Sequence, residues 1–155
     1  MRRRWWRLLI LAVVAGAPIA WYLASPLFLN RVVEEAPVGG AGELARGAFV
    51  DADSFHKGSG TALIVQDGAQ RVLRFEDFQV TNGPDLYVYL AKHPQPRSRQ
   101  EVAQGYVSLG KLKGNIGPQN YAIPGDVDLT RYRSVVIYCQ PFHVVFSTAT
   151  LEEAR

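Results

Sequence analysis

The chain of 155 residues has room for one ordinary domain and a short appendage. A composition of 48% hydrophobic and 20% charged residues excludes a disordered or collagen-like polymer. The formal net charge is +3, but Arg2, Arg3, Arg4 and Arg7 supply +4 of it, so residues 8–155 carry −1. A domain without a basic excess lacks the charge pattern of a nucleic-acid binder. We therefore expect no nucleic-acid partner.

The first thirty residues predict a membrane anchor. Residues 1–7 are basic, and the 22 residues from 8 to 29 carry no charge. As a helix rising about 1.5 Å per residue, residues 8–29 would span roughly 33 Å, enough for a bilayer core. The positive-inside rule then places residues 1–7 in the cytoplasm and the following domain outside it, in the periplasm or at the cell surface. The alternative interpretation is a signal peptide.

Residues 30–43 are predicted to form a flexible linker, because Pro37, Gly39, Gly40 and Gly42 crowd a stretch of small side chains. Residues 44–151 are of the usual size for a single domain, and residues 152–155 form a tail.

The sequence of the domain predicts strands joined by short turns. Asp67-Gly68 is typical of a tight hairpin turn, and Asn82-Gly83-Pro84-Asp85 predicts a second hairpin. Apolar residues occupy both alternating faces of residues 86–92, so we expect both faces of that strand to be covered. Strands are predicted at 61–66, 69–75, 75–81, 86–92, 106–109, 120–123, 135–139 and 142–147, with one helical turn in the polar loop 94–102.

This spacing of strands, without long amphipathic helices between them, predicts an all-β antiparallel sandwich or barrel behind the N-terminal helix. A mixed α+β domain is the alternative.

Cys139 is the only cysteine of the chain, so it forms no internal disulfide. It alternates with Val135 and Ile137, which favours a buried thiol that packs as a small hydrophobic side chain. An apolar environment raises the pKa of a thiol and disfavours a reactive nucleophile. Two other interpretations stay open: a disulfide to a second chain and a thiolate ligand to haem iron.

His143 follows Cys139 by four residues, which on an uninterrupted strand separates the two by about 13 Å. That distance is too long for two ligands of one metal ion, although Pro141 between them favours a break in the strand. The sequence contains no Cys-x-x-Cys-His, so covalent haem attachment is excluded.

Two loops carry polar or glycine-rich clusters. Residues 51–60 gather Asp51, Asp53 and His56, and the pattern favours a capped turn over a metal or acid–base site. Residues 110–117 are rich in glycine but lack the spacing of a phosphate-binding loop, which favours a wide loop. The sequence shows no catalytic triad and no zinc-ligand cluster. It therefore does not establish that the protein is an enzyme.

Several short segments, in order and spacing, are similar to the electron-transfer domain family called DM-thirteen. They include Gly58-Ser59-Gly60-Thr61-Ala62, Asn82-Gly83-Pro84-Asp85, Gly110-Lys111-Leu112-Lys113-Gly114 and Val135-Val136-Ile137-Tyr138-Cys139, and the resemblance covers residues 44–151. Further positions that carry it include Asp53, His56, Asn120 and Tyr121. The whole chain resembles bacterial members that consist of one such domain behind an anchor.

The resemblance implies a redox role for Cys139, either as a free thiol or as a haem ligand, with a redox partner protein. Tyr138 and His143 are the neighbouring residues that we expect at such a cofactor site. Tyr138 stands where the family commonly has tryptophan, and Ser147 stands where glycine is common. A non-catalytic module that binds an envelope protein or a small ligand, with the cysteine merely buried, is the alternative function.

Overall fold

The structure, a computed structural model, describes residues 2–25, 29–38 and 42–154. Helix α1 spans Arg2–Ala24, and its Trp5, Trp6 and Trp21 side chains are exposed. Among the described residues, no helix is both long and apolar enough to cross a membrane. The anchor predicted over residues 8–29 is therefore not supported: α1 ends at Ala24, and residues 26–28 lie outside the described residues.

Within residues 42–154, which the structure describes without a gap, nine strands form the domain. The path through the sheet is β5-β4-β7-β8-β1-β2-β3-β6, and β9 pairs with β1. All pairs of strands along this path are antiparallel. The strands are β1 (Gly42–Asp51), β2 (Gly58–Asp67), β3 (Gln70–Val80), β4 (Leu86–Ala91), β5 (Tyr106–Lys111), β6 (Gln119–Ile123), β7 (Ser134–Cys139), β8 (Val144–Thr150) and β9 (Glu152–Glu153).

The sheet is nearly closed into a barrel, because its two end strands, β5 and β6, approach each other. The barrel interior holds the main core, in which the aromatic rings of Phe49, Phe75 and Phe78 pack against one another. A second cluster of buried side chains covers the outer face of β4 and β7. The prediction of an all-β antiparallel domain is confirmed.

The first predicted hairpin is confirmed with a one-residue shift. Asp67 pairs with Gln70, so the turn consists of Gly68 and Ala69. Gly68 adopts a φ of 57°, which glycine tolerates better than other residues, and the Gln66 side chain donates to the Gly68 and Gln70 carbonyl oxygens. These bonds span the turn beside the Asp67–Gln70 pair.

The second predicted hairpin is wrong. Residues 70–80 form one continuous strand, β3, which pairs with β2 and β6, whereas β4 pairs with β5 and β7. Residues 81–85 are therefore a crossing between two parts of the barrel. The physical reason is a register shift: β3 continues past Asp77, whose φ is 48°, and stays bonded to Gly58 and Ser59.

Both faces of β4 are covered, as its sequence predicted. Leu86, Val88 and Leu90 belong to the main core, while Tyr89 and Ala91 belong to the outer cluster. The predicted helical turn is helix α2 (Arg99–Val102), which begins at the capping box formed by Ser98 and Glu101. A short 3₁₀ turn follows at Leu129–Arg131.

The first half of the linker predicted over residues 30–43 is not a flexible tether. Val33 donates its backbone N–H to Ile116, and Glu35 donates its own to Pro118. These bonds hold residues 31–36 in an extended conformation against the barrel, and we call this stretch the docked segment. Residues 39–41 lie outside the described residues, and β1 begins at Gly42.

Candidate functional site

Cys139 ends β7 and points into the barrel interior. It pairs with Leu86 of β4 on one side and Val144 of β8 on the other, and it has no solvent-exposed surface. Its Sγ atom lies 3.1 Å from the carbonyl oxygen of Pro84, to which the thiol donates. The thiol is thus buried and already has a hydrogen-bond partner.

The environment of Cys139 favours its neutral form. Burial raises the pKa of the thiol above its ordinary value of 9.0, and the nearby charge of Asp85 raises it further. A hydrogen bond from the Phe142 backbone opposes these effects without cancelling them. Because the thiolate is the nucleophile, Cys139 in this conformation is a poor one.

The crossing at residues 82–85 connects Cys139 with the loop at residues 51–58. A Cβ atom on Gly83 would lie 2.5 Å from the Phe146 ring, so this close approach requires glycine. The His56 ring packs on Phe146 with 4.3 Å between ring centroids. Phe146 therefore lies between two sets of family-motif positions, Asp53 with His56 and Gly83 with Pro84. No pattern in the sequence pointed to it.

The carboxylates of Asp51 and Asp53 hold the loop at residues 51–58 together through hydrogen bonds within the loop. Asp53 accepts hydrogen bonds from the Phe55 and His56 backbone, and its second oxygen lies 2.7 Å from His56 Nδ1. The bond with the His56 side chain, followed by the two backbone bonds, lowers the pKa of Asp53 to about 2. Asp51 bonds to the Lys57 side chain and the Gly58 backbone. The capped turn favoured by the sequence is confirmed.

No metal site emerges from these residues. Across residues 2–25, 29–38 and 42–154, no group of three or more histidine, cysteine, aspartate or glutamate side chains is placed to hold a metal ion.

Tyr138 and His143 do not share a site with Cys139. Tyr138 lies in the cluster on the outer face of β7, whereas Cys139 lies in the inner core. The Tyr138 hydroxyl lies 3.4 Å from His143 Nδ1, on the outer side. The chain turns at residues 140–143, so Pro141 lies in a turn and not on a strand.

The haem that the resemblance implies does not fit around Cys139. A haem iron needs an open approach to the ligand sulfur. The Cys139 side chain is fully buried, and its thiol faces the Pro84 carbonyl group across a hydrogen-bond distance. Strands β4 and β8 flank it on both sides. In this conformation Cys139 therefore leaves no room for a haem iron at its sulfur.

Three family-motif positions belong to a different region, that of the docked segment: Gly114, Asn120 and Tyr121. A Cβ atom on Gly114 would clash with the Arg31 carbonyl oxygen. The Asn120 amide donates to the Ala36 carbonyl oxygen. Tyr121 donates to Gln119 and accepts from the Lys113 backbone. Gly114 and Asn120 therefore contact the segment directly, and Tyr121 holds the Lys113 backbone behind it.

Glu35 of the docked segment and Arg74 of the barrel complete the contact, and neither was among the residues singled out from the sequence. Glu35 bonds to the Lys113 ammonium group at 2.7 Å and to the Asn120 backbone at 2.7 Å. Arg74 is only 6% exposed and donates to the Glu35 and Ala36 carbonyl oxygens and to Asn120. An arginine inside a run of strand hydrophobics was the one available signal of a buried polar contact.

The outer face of β4, β5 and β7 carries a cluster of tyrosines. Tyr89 stacks on Tyr106 with 4.4 Å between ring centroids and lies 5.3 Å from the Tyr138 ring. Gln140 donates to the Tyr89 hydroxyl group. The sequence placed Tyr87 and Tyr89 on one face of β4 but did not show that Tyr106 and Tyr138 join them.

Comparison with known proteins gives one match. Neither a curated protein nor a solved structure matches the chain at a significant level. The model of the family described as Electron transfer DM13 matches residues 49–151, which include the loop at 51–58, the crossing at 82–85 and Cys139. The chain therefore belongs to the DM13 family of electron-transfer domains.

Proposed function

We propose that this protein is an electron-transfer module in which Cys139 is the redox group and exchanges with the thiols or disulfides of a partner protein. The observation that carries the proposal is the family match over residues 49–151. Cys139 is the chain's only thiol, so any disulfide it forms must join a second molecule. The location of the domain outside the cytoplasm stays a prediction of the sequence.

The exchange is chemically simple. The Cys139 sulfur attacks one sulfur of a partner disulfide, an S–S bond forms to Cys139, and the partner's S–S bond breaks. The released thiolate takes up the proton that Cys139 loses. The attack requires the turn at Gln140–His143 or the crossing at residues 82–85 to move aside, because the thiol is closed off in the conformation described above.

A second candidate function is a non-catalytic binding module in which Cys139 only packs. The observation that favours it is the environment of Cys139: burial raises the thiol pKa, and Pro84 already accepts the thiol hydrogen. Such a thiol resembles an ordinary core residue.

Glutathione redox buffers separate the two functions. Folded full-length protein is incubated with glutathione disulfide, and the mass of the chain is measured over time under native conditions. A single glutathione adduct that thiol reductant reverses, absent in Cys139→Ala, supports the redox function. A chain that stays unmodified for hours while circular dichroism shows it folded contradicts that function and supports the binding module.

A further inference from the structure

The outer face of the barrel holds a cavity of about 520 Å³ beside the tyrosine cluster, on the side of the sheet opposite Cys139. We infer that this cavity binds a planar aromatic ligand that carries an anionic group. The inference is independent of the redox role of Cys139. The side chains that carry the argument are Tyr89, Tyr106, Tyr138, Arg99, Gln140 and His143.

Aromatic rings form the wall of the cavity. Tyr89 is buried and holds Tyr106 in a stacked arrangement, with ring planes 20° apart. Tyr106 is 47% exposed, so a large part of its ring is open to a further contact. Aromatic rings gain about 0.5–1.5 kcal/mol from offset-stacked or edge-to-face pairs beyond the area they bury. The ring of an aromatic ligand would be the third member of this stack, whose first two rings, Tyr89 and Tyr106, the fold already holds in place.

The charge at the cavity is positive. Arg99 is a lining residue, and no aspartate or glutamate is among the residues that line the cavity. The charge of Arg99 acts on Tyr138, since it lowers the pKa of that hydroxyl against the larger raising effect of burial. A guanidinium group binds a carboxylate through two parallel hydrogen bonds. The cavity therefore suits an anion more than a cation.

Tyr138 lines the cavity, and its hydroxyl has a long hydrogen bond within the protein. Its neighbour in the described structure is His143 Nδ1 at 3.4 Å, which is longer than the usual 2.7–3.2 Å of a protein hydrogen bond. His143 has a φ of 57°, a strained conformation for a residue other than glycine. Strain of this kind concentrates at functional sites. The bend keeps the imidazole ring at the edge of the cavity.

A sugar fits these groups less well than an aromatic acid. Neighbouring hydroxyl groups of a sugar need several free acceptors and donors, but the Gln140 amide already donates to Tyr89. The cavity also lacks a carboxylate among its lining residues. The aromatic surface and Arg99 are its main recognition elements.

Titration of full-length ¹⁵N-labelled protein with 2-naphthoate tests the inference by nuclear magnetic resonance and calorimetry. We expect saturable shifts confined to residues around Tyr106 and His143. Arg99→Gln should weaken binding about tenfold, which corresponds to the loss of one charge-assisted contact of about 1.4 kcal/mol. Arg131→Gln, an exposed arginine outside the cavity, is the matched control and should bind as the wild type does.

A second variant keeps the test independent of any loss of folding. Ala103 is exposed and lines the cavity, so Ala103→Phe fills the cavity without disturbing the core, and it should abolish binding while the spectrum stays folded. The inference is overturned by absence of shifts at millimolar 2-naphthoate, by equal affinity in Arg99→Gln, or by shifts only at the exposed tryptophans of α1. Equal affinity for cyclohexanecarboxylate or preferential binding of glucuronate also overturns it.

Discussion

The thiol of Cys139 donates to the carbonyl oxygen of Pro84 across 3.1 Å, which ties the end of β7 to the crossing between β3 and β4. Gly83, next to Pro84, packs directly on Phe146, and His56 lies on the same ring. Access to the sulfur therefore depends on two short segments, residues 82–85 and 140–143. The accessibility of the thiol is a property of these segments, and the following predictions concern them first.

Loosening the turn after Cys139 should speed its reaction with disulfides. Pro141 lies exposed in that turn, and Pro141→Gly gives the turn more conformational freedom, which favours opening. We expect the second-order rate of the folded protein with Ellman's reagent to rise several-fold in Pro141→Gly and to rise much further on full unfolding in urea. The rate should also increase with pH above 9, because the thiol pKa lies above its ordinary 9.0.

Pro124→Gly is the matched control for that measurement, since Pro124 is an exposed proline in another loop. Equal acceleration in both variants contradicts a specific gate at residues 140–143. A native thiol that reacts as fast as the unfolded one contradicts the burial on which the gate depends.

Gly83→Ala should destabilise the barrel. The added Cβ atom would lie 2.5 Å from the Phe146 ring, so the ring or the crossing has to move. Overpacking of this kind costs about 1–3 kcal/mol in the free energy of unfolding, which urea denaturation measures. Gly125→Ala is the control, because nothing lies within 4 Å of a Cβ atom at that position.

Phe146→Leu in the Gly83→Ala background should recover part of the loss, because the smaller side chain makes room for the new methyl group. If the costs of Gly83→Ala and Phe146→Leu simply add in a double-mutant cycle, Phe146 does not couple Gly83 to His56.

Local chemistry explains which features could be predicted from the sequence. The tight turn near Gly68, the helical turn within residues 94–102 and the alternation along β4 each depend on a few adjacent residues, and the structure contains all three with a shift of one residue at the tight turn. The burial of Cys139 followed from the same alternation. The family's motif positions were visible because they fall in short segments.

Long-range partners could not be predicted in this way. Residues 75–81 have the composition of a hairpin arm, but their partners Gly58 and Ser59 lie on a strand to which they bond through a bulge. Residues 31–36 have the composition of a linker, and partners distant in the sequence, such as Arg74, Ile116 and Asn120, fix them. The grouping of Tyr106 with Tyr138 likewise depends on the order of strands β5, β4 and β7.

Removal of the Asp53 carboxylate should make the domain less sensitive to acid. The folded pKa of Asp53 is about 2 and its ordinary value is 3.8, so this carboxylate stabilises the folded state above pH 3.8 and loses that effect as the pH falls towards 2. Asp53→Asn should be less stable than the wild type at neutral pH, and the difference should shrink below pH 3.8. Urea unfolding from pH 2 to 6 measures it.

Asp126→Asn, an exposed aspartate in another loop, is the control for Asp53→Asn. Direct titration of the Asp53 carboxyl carbon by nuclear magnetic resonance checks the low pKa independently. A midpoint near 3.8 contradicts the bond to His56, and so does a stability difference that does not change with pH.

The docked segment should contribute to the stability of the domain through Glu35. Burial raises the pKa of this carboxyl, but hydrogen bonds from Lys113 and the Asn120 backbone lower it more, so its folded pKa lies below the ordinary 4.5. The carboxylate thus stabilises the fold above pH 4.5, and this contribution is lost as the pH falls through the folded pKa. Glu35→Gln should cost about 1 kcal/mol at pH 7, since the pair is partly exposed.

Glu34→Gln is the matched control, because Glu34 is the exposed neighbour in the same segment. Urea unfolding of both variants at pH 7 and pH 4 separates a specific role of Glu35 from a general effect of charge. We expect Glu35→Gln to cost less stability at pH 4 than at pH 7. The stability of Glu34→Gln should stay within about 0.5 kcal/mol of the wild type. Faster hydrogen exchange of the Val33 and Glu35 amides in Glu35→Gln should accompany the loss, because their bonds to Ile116 and Pro118 hold the segment down. Unchanged exchange at these two amides contradicts the role of Glu35 in holding the segment against the barrel.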